Sequence, residues 1–134
     1  YVNWHYSGIA TVTKGFNYLK TAYVDISDTA PNLVTGDFTI DGADHLLDLS
    51  AHLPVGATAV NLKCRGRTTD IAGIAYFRHP DAPNIGSCRL RTQVANHFIA
   101  NSFVCGLDSG RNIEYKIAGA NWDDLTLKIS GYWR

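Results

Sequence analysis

Few side chains in this sequence have the type and spacing that chemistry requires. Asp123 and Asp124 are the only adjacent carboxylates. Glycoside hydrolysis needs two carboxylates at a fixed separation. Turns also favour Asp, because its side chain accepts from nearby backbone N–H groups. The surrounding Ala118–Asp124 stretch is rich in turn formers, so a turn is the simpler reading. Cys88, His97 and Asp108 follow one another in the order of nucleophile, base and orienting acid. Cys88, however, falls on the apolar side of its run, where a thiol is usually inert. His5, His45, His52, His79 and His97 are scattered, with no H-x-H or H-E-x-x-H spacing for zinc. Asp25 with Asp28, or Asp37, Asp41 and Asp44, could approach a calcium ion, but no EF-hand spacing is present. There is no G-x-S-x-G elbow and no Gly-rich phosphate loop. The expectation is a protein with no catalytic residue, no metal and no cofactor, that is, not an enzyme.

Residues suited to contact are more numerous. Arg89 and Arg91, with Lys63, Arg65 and Arg67, could form a basic face if their strands are neighbours. The plainer reading is two ordinary wet faces; the functional one is an anion, an acidic sugar or a subunit interface. Aromatic rings gather at the two ends of the chain: Tyr1, Trp4 and Tyr6, then Trp122, Tyr132 and Trp133. Trp122 stands in the turn-rich stretch beside Asp123. A ring exposed there could stack on a sugar or fill a partner's pocket; a ring folded back over the core edge is the plainer reading. Trp4, Tyr6, Trp122, Asp123, Arg89 and Arg91 are therefore the candidate ligand-binding or interface residues.

The elements that must position these residues are strands. Side chains alternate faces along a strand with period two. Ile113, Tyr115 and Ile117 alternate with Glu114 and Lys116; Leu125, Leu127 and Ile129 alternate with Thr126, Lys128 and Ser130. With the turn between them, these two runs predict a closing hairpin. Upstream, Val60, Leu62 and Cys64 alternate with Asn61, Lys63 and Arg65 over Ala59–Arg65, with Gly66–Asp70 as a loop. Further strands are predicted over Ile9–Thr13, within Asn17–Ser27, over Asp37–Asp41 and over Gly73–Arg78. Two more fall over Ser87–Val94 and over Phe98–Leu107, the last with a bulge at Asn101-Ser102. Asp44–Pro54 reads as strand then turn, ended by Pro54 and Gly56. The count is eight to ten short strands with turn signals every eight to twelve residues, the pattern of an antiparallel sandwich or barrel. The predicted fold is an all-β, antiparallel β-sandwich, with a jelly roll as the first choice of topology. Tyr1–Gly8 has no clear period and is expected to be an arm on a single domain spanning residues 1–134.

Composition agrees. The chain of 134 residues has one Glu, no Met and five Lys, so straight-chain helix formers are scarce. A chain this long buries roughly two-thirds of its unfolded surface and can hold one core without a staple. Lys plus Arg number 12 and Asp plus Glu number 12, giving zero net charge. That argues against bulk binding to nucleic acid or to anionic membrane. No apolar run approaches the roughly 20 residues that span a bilayer. The chain starts at Tyr1 without a Met or a signal-peptide pattern, so residues are expected to have been removed ahead of it. Cys64, Cys88 and Cys105 are separated by 23 and 16 residues, unlike metal-site spacings. They read as buried, slow-reacting thiols serving as small hydrophobes.

The closing stretch carries a resemblance. EYKI, then a Trp, then LTLKISGYW at the chain end, together with LLDLSAHLPVGATAVNLKCR earlier, resembles the terminal β-sandwich domains of bacteriophage virion proteins: tail fibres, receptor-binding domains and capsid-decoration proteins. It covers about Asp44 to Arg134; Tyr1–Gly42 has no such match. The resemblance implies a non-enzymatic, extracellular or virion-surface module, commonly a homotrimer, that binds a glycan or another coat protein. It offers no catalytic residue. A carbohydrate-binding module of a secreted bacterial protein is the alternative. The partners expected are further copies of the chain, other virion proteins or a host-surface glycan, with no nucleic acid and no membrane insertion.

Overall fold

The computed structural model describes residues 22–26, 31–82, 88–119 and 121–134. The strand predicted over Ile9–Thr13 lies outside these, as does the arm Tyr1–Gly8; of the one predicted within Asn17–Ser27, the described part holds a strand at Tyr23–Asp25. Eight strands run in chain order: β1 (Tyr23–Asp25), β2 (Asp44–Asp48), β3 (Ala59–Thr68), β4 (Ile74–Arg78), β5 (Cys88–Arg91), β6 (Ile99–Gly106), β7 (Asn112–Ala118) and β8 (Trp122–Trp133). They form two four-stranded sheets, ordered β1-β8-β3-β6 and β2-β7-β4-β5, with every pairing antiparallel. This interleaving of early and late strands is the eight-strand jelly roll. The protein is an all-β sandwich.

The alternation read from the sequence fills the space between the sheets. Val60, Leu62 and Cys64 of β3 and Leu125, Leu127 and Ile129 of β8 supply one inner face. Ile113, Tyr115 and Ile117 of β7, with Ala75 and Phe77 of β4, supply the other. Leu90, Phe103 and Cys105 fill the β5–β6 side. Phe77 and Phe103 stack across the gap with ring centres 5.5 Å apart, and Phe38 meets Tyr115 edge-on at 5.3 Å.

Several local expectations are corrected. β7 and β8 do not form a hairpin: β7 pairs with β2 and β4, and β8 pairs with β1 and β3. The link between them turns over at Gly119 and Asn121, both at positive φ, and carries the chain from one sheet to the other. The two apolar rows then face each other across the core rather than lying side by side. Asp37–Asp41 is not a strand; a short 3-10 turn, Thr35–Asp37, precedes it, with the Val34 N–H donating to Asp37 Oδ2 at 2.8 Å. Phe38 is still buried. β3 runs on to Thr68 through the expected loop, because Gly66 and Thr68 continue its inner row. β5 ends at Arg91, and Val94 is exposed rather than in the core. β6 pairs with β3 without interruption, so the bulge expected at Asn101-Ser102 is absent. The irregularities fall instead on β8, opposite Asn61/Leu62 and opposite Arg67/Thr68.

Candidate functional site

The side chains best placed to meet a partner lie on the outer face of the β1-β8-β3-β6 sheet. They get there by elimination. Because Val60, Leu62, Cys64, Gly66 and Thr68 point inward, Asn61, Lys63, Arg65 and Arg67 must point outward. β8 sets Lys128 opposite Lys63, Thr126 opposite Arg65 and Asp124 opposite Arg67. On the other side, β6 sets Ser102 opposite Lys63 and Ala100 opposite Arg65.

The bulge on β8 decides the fate of the two carboxylates. In a regular strand, Asp123 and Asp124 would point to opposite faces. Here Asp124 pairs with Arg67 and Trp122 with Thr68, which leaves Asp123 as the extra residue. Both carboxylates therefore reach the outer face, where Asp123 meets Arg67 at 2.7 Å and Asp124 meets Arg65 at 3.4 Å. Each guanidinium also lies 4.7 Å from the centre of the Phe98 ring. Partly exposed pairs of this kind contribute about 0–1 kcal/mol each. Their effect here is to occupy the Asp pair and both arginines with one another.

Lys63 and Lys128 have no such partner. They are directly opposed on neighbouring strands, and among the described residues no carboxylate lies within ion-pair distance of either. Like charges opposed in this way are destabilising. Between the long side chains stand the short ones of Ala100 and Thr126. The result is a depression of about 310 Å³ lined by Pro31, Lys63, Arg65, Ala100, Thr126 and Lys128. Pro31 reaches its rim because the following residues lie along β8, with Asn32 and Leu33 N–H groups both donating to Leu127 O.

One end of the same face is aromatic. Tyr23 lies flat over Gly131, where an added Cβ would stand 2.3 Å from the Tyr23 Oη. Only glycine admits the ring so close. Tyr23 Oη donates to Ser130 O at 3.3 Å and accepts from Asn61 Nδ2 at 3.4 Å. Its ring centre is 4.7 Å from that of Trp133, at an interplanar angle of 50°.

The residues singled out from sequence fare differently. Trp4 and Tyr6 lie outside the described residues. Trp122 is not on an exposed loop: it starts β8 at 7% exposure, its Nε1 donates to Ala118 O at 3.2 Å, and its ring lies against Gly66 and Gly73. A ring so covered cannot stack on a sugar. Asp123 is on the outer face, tied to Arg67. Arg89 and Arg91 are exposed on β5, in the other sheet, so they do not extend the Lys63–Arg65–Arg67 row. Sequence reasoning missed Lys128, Tyr23 and Phe98 as members of this face, and named Trp133 only among the rings gathered at the chain end. The signal for Lys128 was present in its alternation, but the hairpin reading set β8 beside β7 instead of β3.

Elsewhere, groups with chemical potential are held in structural roles. Burial pushes the Cys64 thiol up to about 12. The Cys105 thiol is also raised, first by its hydrogen bond with the Cys88 thiol and then by burial. Cys88 Sγ–H donates to Val104 O at 3.3 Å. Asp108 accepts from the Asn112 N–H at 2.8 Å, which holds its carboxyl below the usual range, while His97 Nδ1 lies against Ala95 O. Cys88, His97 and Asp108 thus each have separate partners. Among the described residues no three His, Cys, Asp or Glu side chains converge as a metal site would need.

No protein-family model matches the chain, and no curated protein does. Among solved structures, the chain is similar to the coat protein of Tobacco streak virus, at 14% identity and a TM-score of 0.36, over 84% of this chain and 82% of that one. The likeness is loose, and the jelly-roll assignment rests on the strand pairing above.

Proposed function

We propose that this chain is a non-enzymatic structural module of a virion surface, decorating a capsid or ending a tail fibre, that works by contact. The observation that carries this reading is the outer face of the β1-β8-β3-β6 sheet. Asp123 and Asp124 are bound to its arginines, while two opposed lysines and a partly exposed aromatic pair stay open to a partner. Such a face is built to hold something rather than to transform it. Jelly rolls recur in viral capsid domains and in lectins, though a fold alone does not fix a function. The resemblance of Asp44–Arg134 to phage virion domains favours the first of these.

The reading includes self-association as a homotrimer through the arm. Tyr1, Trp4, His5 and Tyr6 put four rings into eight residues. Each large aromatic buries of order 150–250 Å², so a few rings docked on a neighbour contribute several kcal/mol at about 25 cal/mol per Å², before the cost of ordering the arm. Zero net charge removes the long-range repulsion between copies. Deleting Tyr1–Gly8 tests this: loss of the trimer with the fold kept supports a clasp, and an unchanged trimer rules the arm out. A second reading, a carbohydrate-binding module of a secreted bacterial protein, draws on the Tyr23–Trp133 pair, of which Tyr23 is exposed and Trp133 half-buried, and requires a monomer.

A further inference from the structure

We propose that the depression between Lys63, Lys128 and Arg65 is a subsite for the carboxylate of an acidic saccharide, with the Tyr23–Trp133 pair as the platform for a neighbouring sugar ring. This deepens the reading of that face as a contact surface and rests on it. The charges on this face do not balance. Among the described residues four cations, Lys63, Arg65, Arg67 and Lys128, share this face with Asp123, Asp124 and, on β1, the exposed Asp25. Asp123 and Asp124 answer the two arginines and Asp25 is in ion-pair contact with none of the four cations, so the excess sits on the lysine pair. Two ammonium groups set across adjacent strands repel one another unless an anion lies between them. Lysine is a compact point charge with three donors, suited to carboxylate oxygens approaching from solvent. Arg65 stands one pleat further along β3, on the same depression, and the Thr126 hydroxyl offers both a donor and an acceptor.

The neighbouring aromatic pair narrows the ligand. Asn61 is one pleat repeat from Lys63, about 7 Å along the strand, and it pairs with the Gly131 that Tyr23 covers. A flat ring beside a cation pair suits a ligand with an apolar face next to its charge. A sugar bearing a carboxylate has both. A nucleic-acid backbone fits less well. Asp123, Asp124 and the exposed Asp25 border the face, and the chain has no net positive charge to hold a run of phosphates.

The test is a titration of the full chain with two carboxylated probes, oligogalacturonate and sialyllactose, with fully methyl-esterified oligogalacturonate as the uncharged control. Chemical-shift perturbation reports the site and calorimetry the affinity. At least one carboxylated probe is expected to bind, weakening as salt rises, with shifts at Lys63, Lys128 and Tyr23. Lys63→Gln and Lys128→Gln are expected each to weaken it about tenfold or more, the loss expected for a hydrogen bond to a charged group. Arg89→Gln, on the other sheet, is expected to leave it unchanged. Equal binding of the ester, an undiminished affinity in the Lys63→Gln/Lys128→Gln double variant, or no binding of either acidic probe overturns the subsite. Lys63 is exposed and Lys128 half-buried, both outside the core, so their replacement can also be checked for fold by thermal melting. Relief of the repulsion is expected to raise the melting temperature at low salt and not at high salt; no rise at low salt counts against the charge conflict. The oligomeric mass of the same samples separates this proposal from the previous one: a trimer that binds neither acid overturns the subsite alone.

Discussion

Leu127 shows how much one position on β8 holds. Its side chain is fully buried in the core, and its backbone is in register with Cys64 on one side and Leu33 on the other. Leu127→Ala removes the packing while the backbone pairs remain, so urea denaturation is expected to show a loss of about 2–5 kcal/mol. A loss below about 1 kcal/mol would mean that the side chain does not occupy the core. The cysteines are a second residue-scale case. With Cys64 pushed up to about 12 by burial and Cys105 raised through Cys88, little thiolate exists at neutral pH. Thiol reagents are expected to label them slowly in the native state and quickly in urea; fast native labelling would contradict this. Asp108 sets an acid limit. Asn112 holds its carboxyl below the ordinary value, so its contribution is complete above the unfolded Asp pKa, about 3.9, and is lost as pH falls through the depressed folded value. Asp41, held by His45, and Asp48, held by Ser50, act in the same direction. Asp108→Asn is expected to flatten the acid limb of the stability–pH curve, and an unchanged limb would show that the capping contact does not persist in solution.

At the scale of elements, the two irregularities of β8 matter more than its length. One turns Asp123 and Asp124 together toward Arg65 and Arg67, and the other lies where Tyr23 covers Gly131. Beside the first, Trp122 fills the groove left by two glycines. A Cβ at Gly66 would come within 2.5 Å of its ring, and one at Gly73 within 2.9 Å. Gly66→Ala is therefore expected to cost about 1–3 kcal/mol by overpacking. Combined with Trp122→Phe it should cost less than the sum of the two single changes, and strict additivity would show that the ring does not rest on Gly66. Alternation made the inner rows of β3, β7 and β8 legible in the sequence, and every residue named for those rows is buried. What alternation could not show is which strand lies beside which. Ile113–Ile117 and Leu125–Ile129 carry the same period whether they sit side by side or face each other across a core. The positive φ of Asn121, which helps carry the chain over, has no signal of its own in a turn-rich stretch. The same gap hid the site. Lys63 and Lys128 were each legible as outward, but their opposition is a fact of pairing. Both readings of Trp122 stayed open in sequence, because a ring over glycines and a ring in solvent look alike there; the covered one is what the structure shows.

At the scale of the molecule, the jelly roll gives two outer faces with different charge arrangements. On the β2-β7-β4-β5 sheet, Arg78 is held between Glu114 and Asp44 and is largely covered, while Arg89 and Arg91 stand exposed on separate positions of the edge strand β5, with no ion pair among the described residues. On the other sheet the arginines are answered and the lysine pair is not. A module that works by contact needs one such unanswered face and a way to be presented in several copies. The aromatic arm is the proposed means of presentation. In the proposed role the chain is an assembling surface module and not a solitary binding domain. Size-exclusion chromatography with light scattering on the full chain tests it most directly. The expected mass is three times that of the 14.7 kDa chain, stable on dilution. A mass of one chain at high protein concentration would contradict the claim.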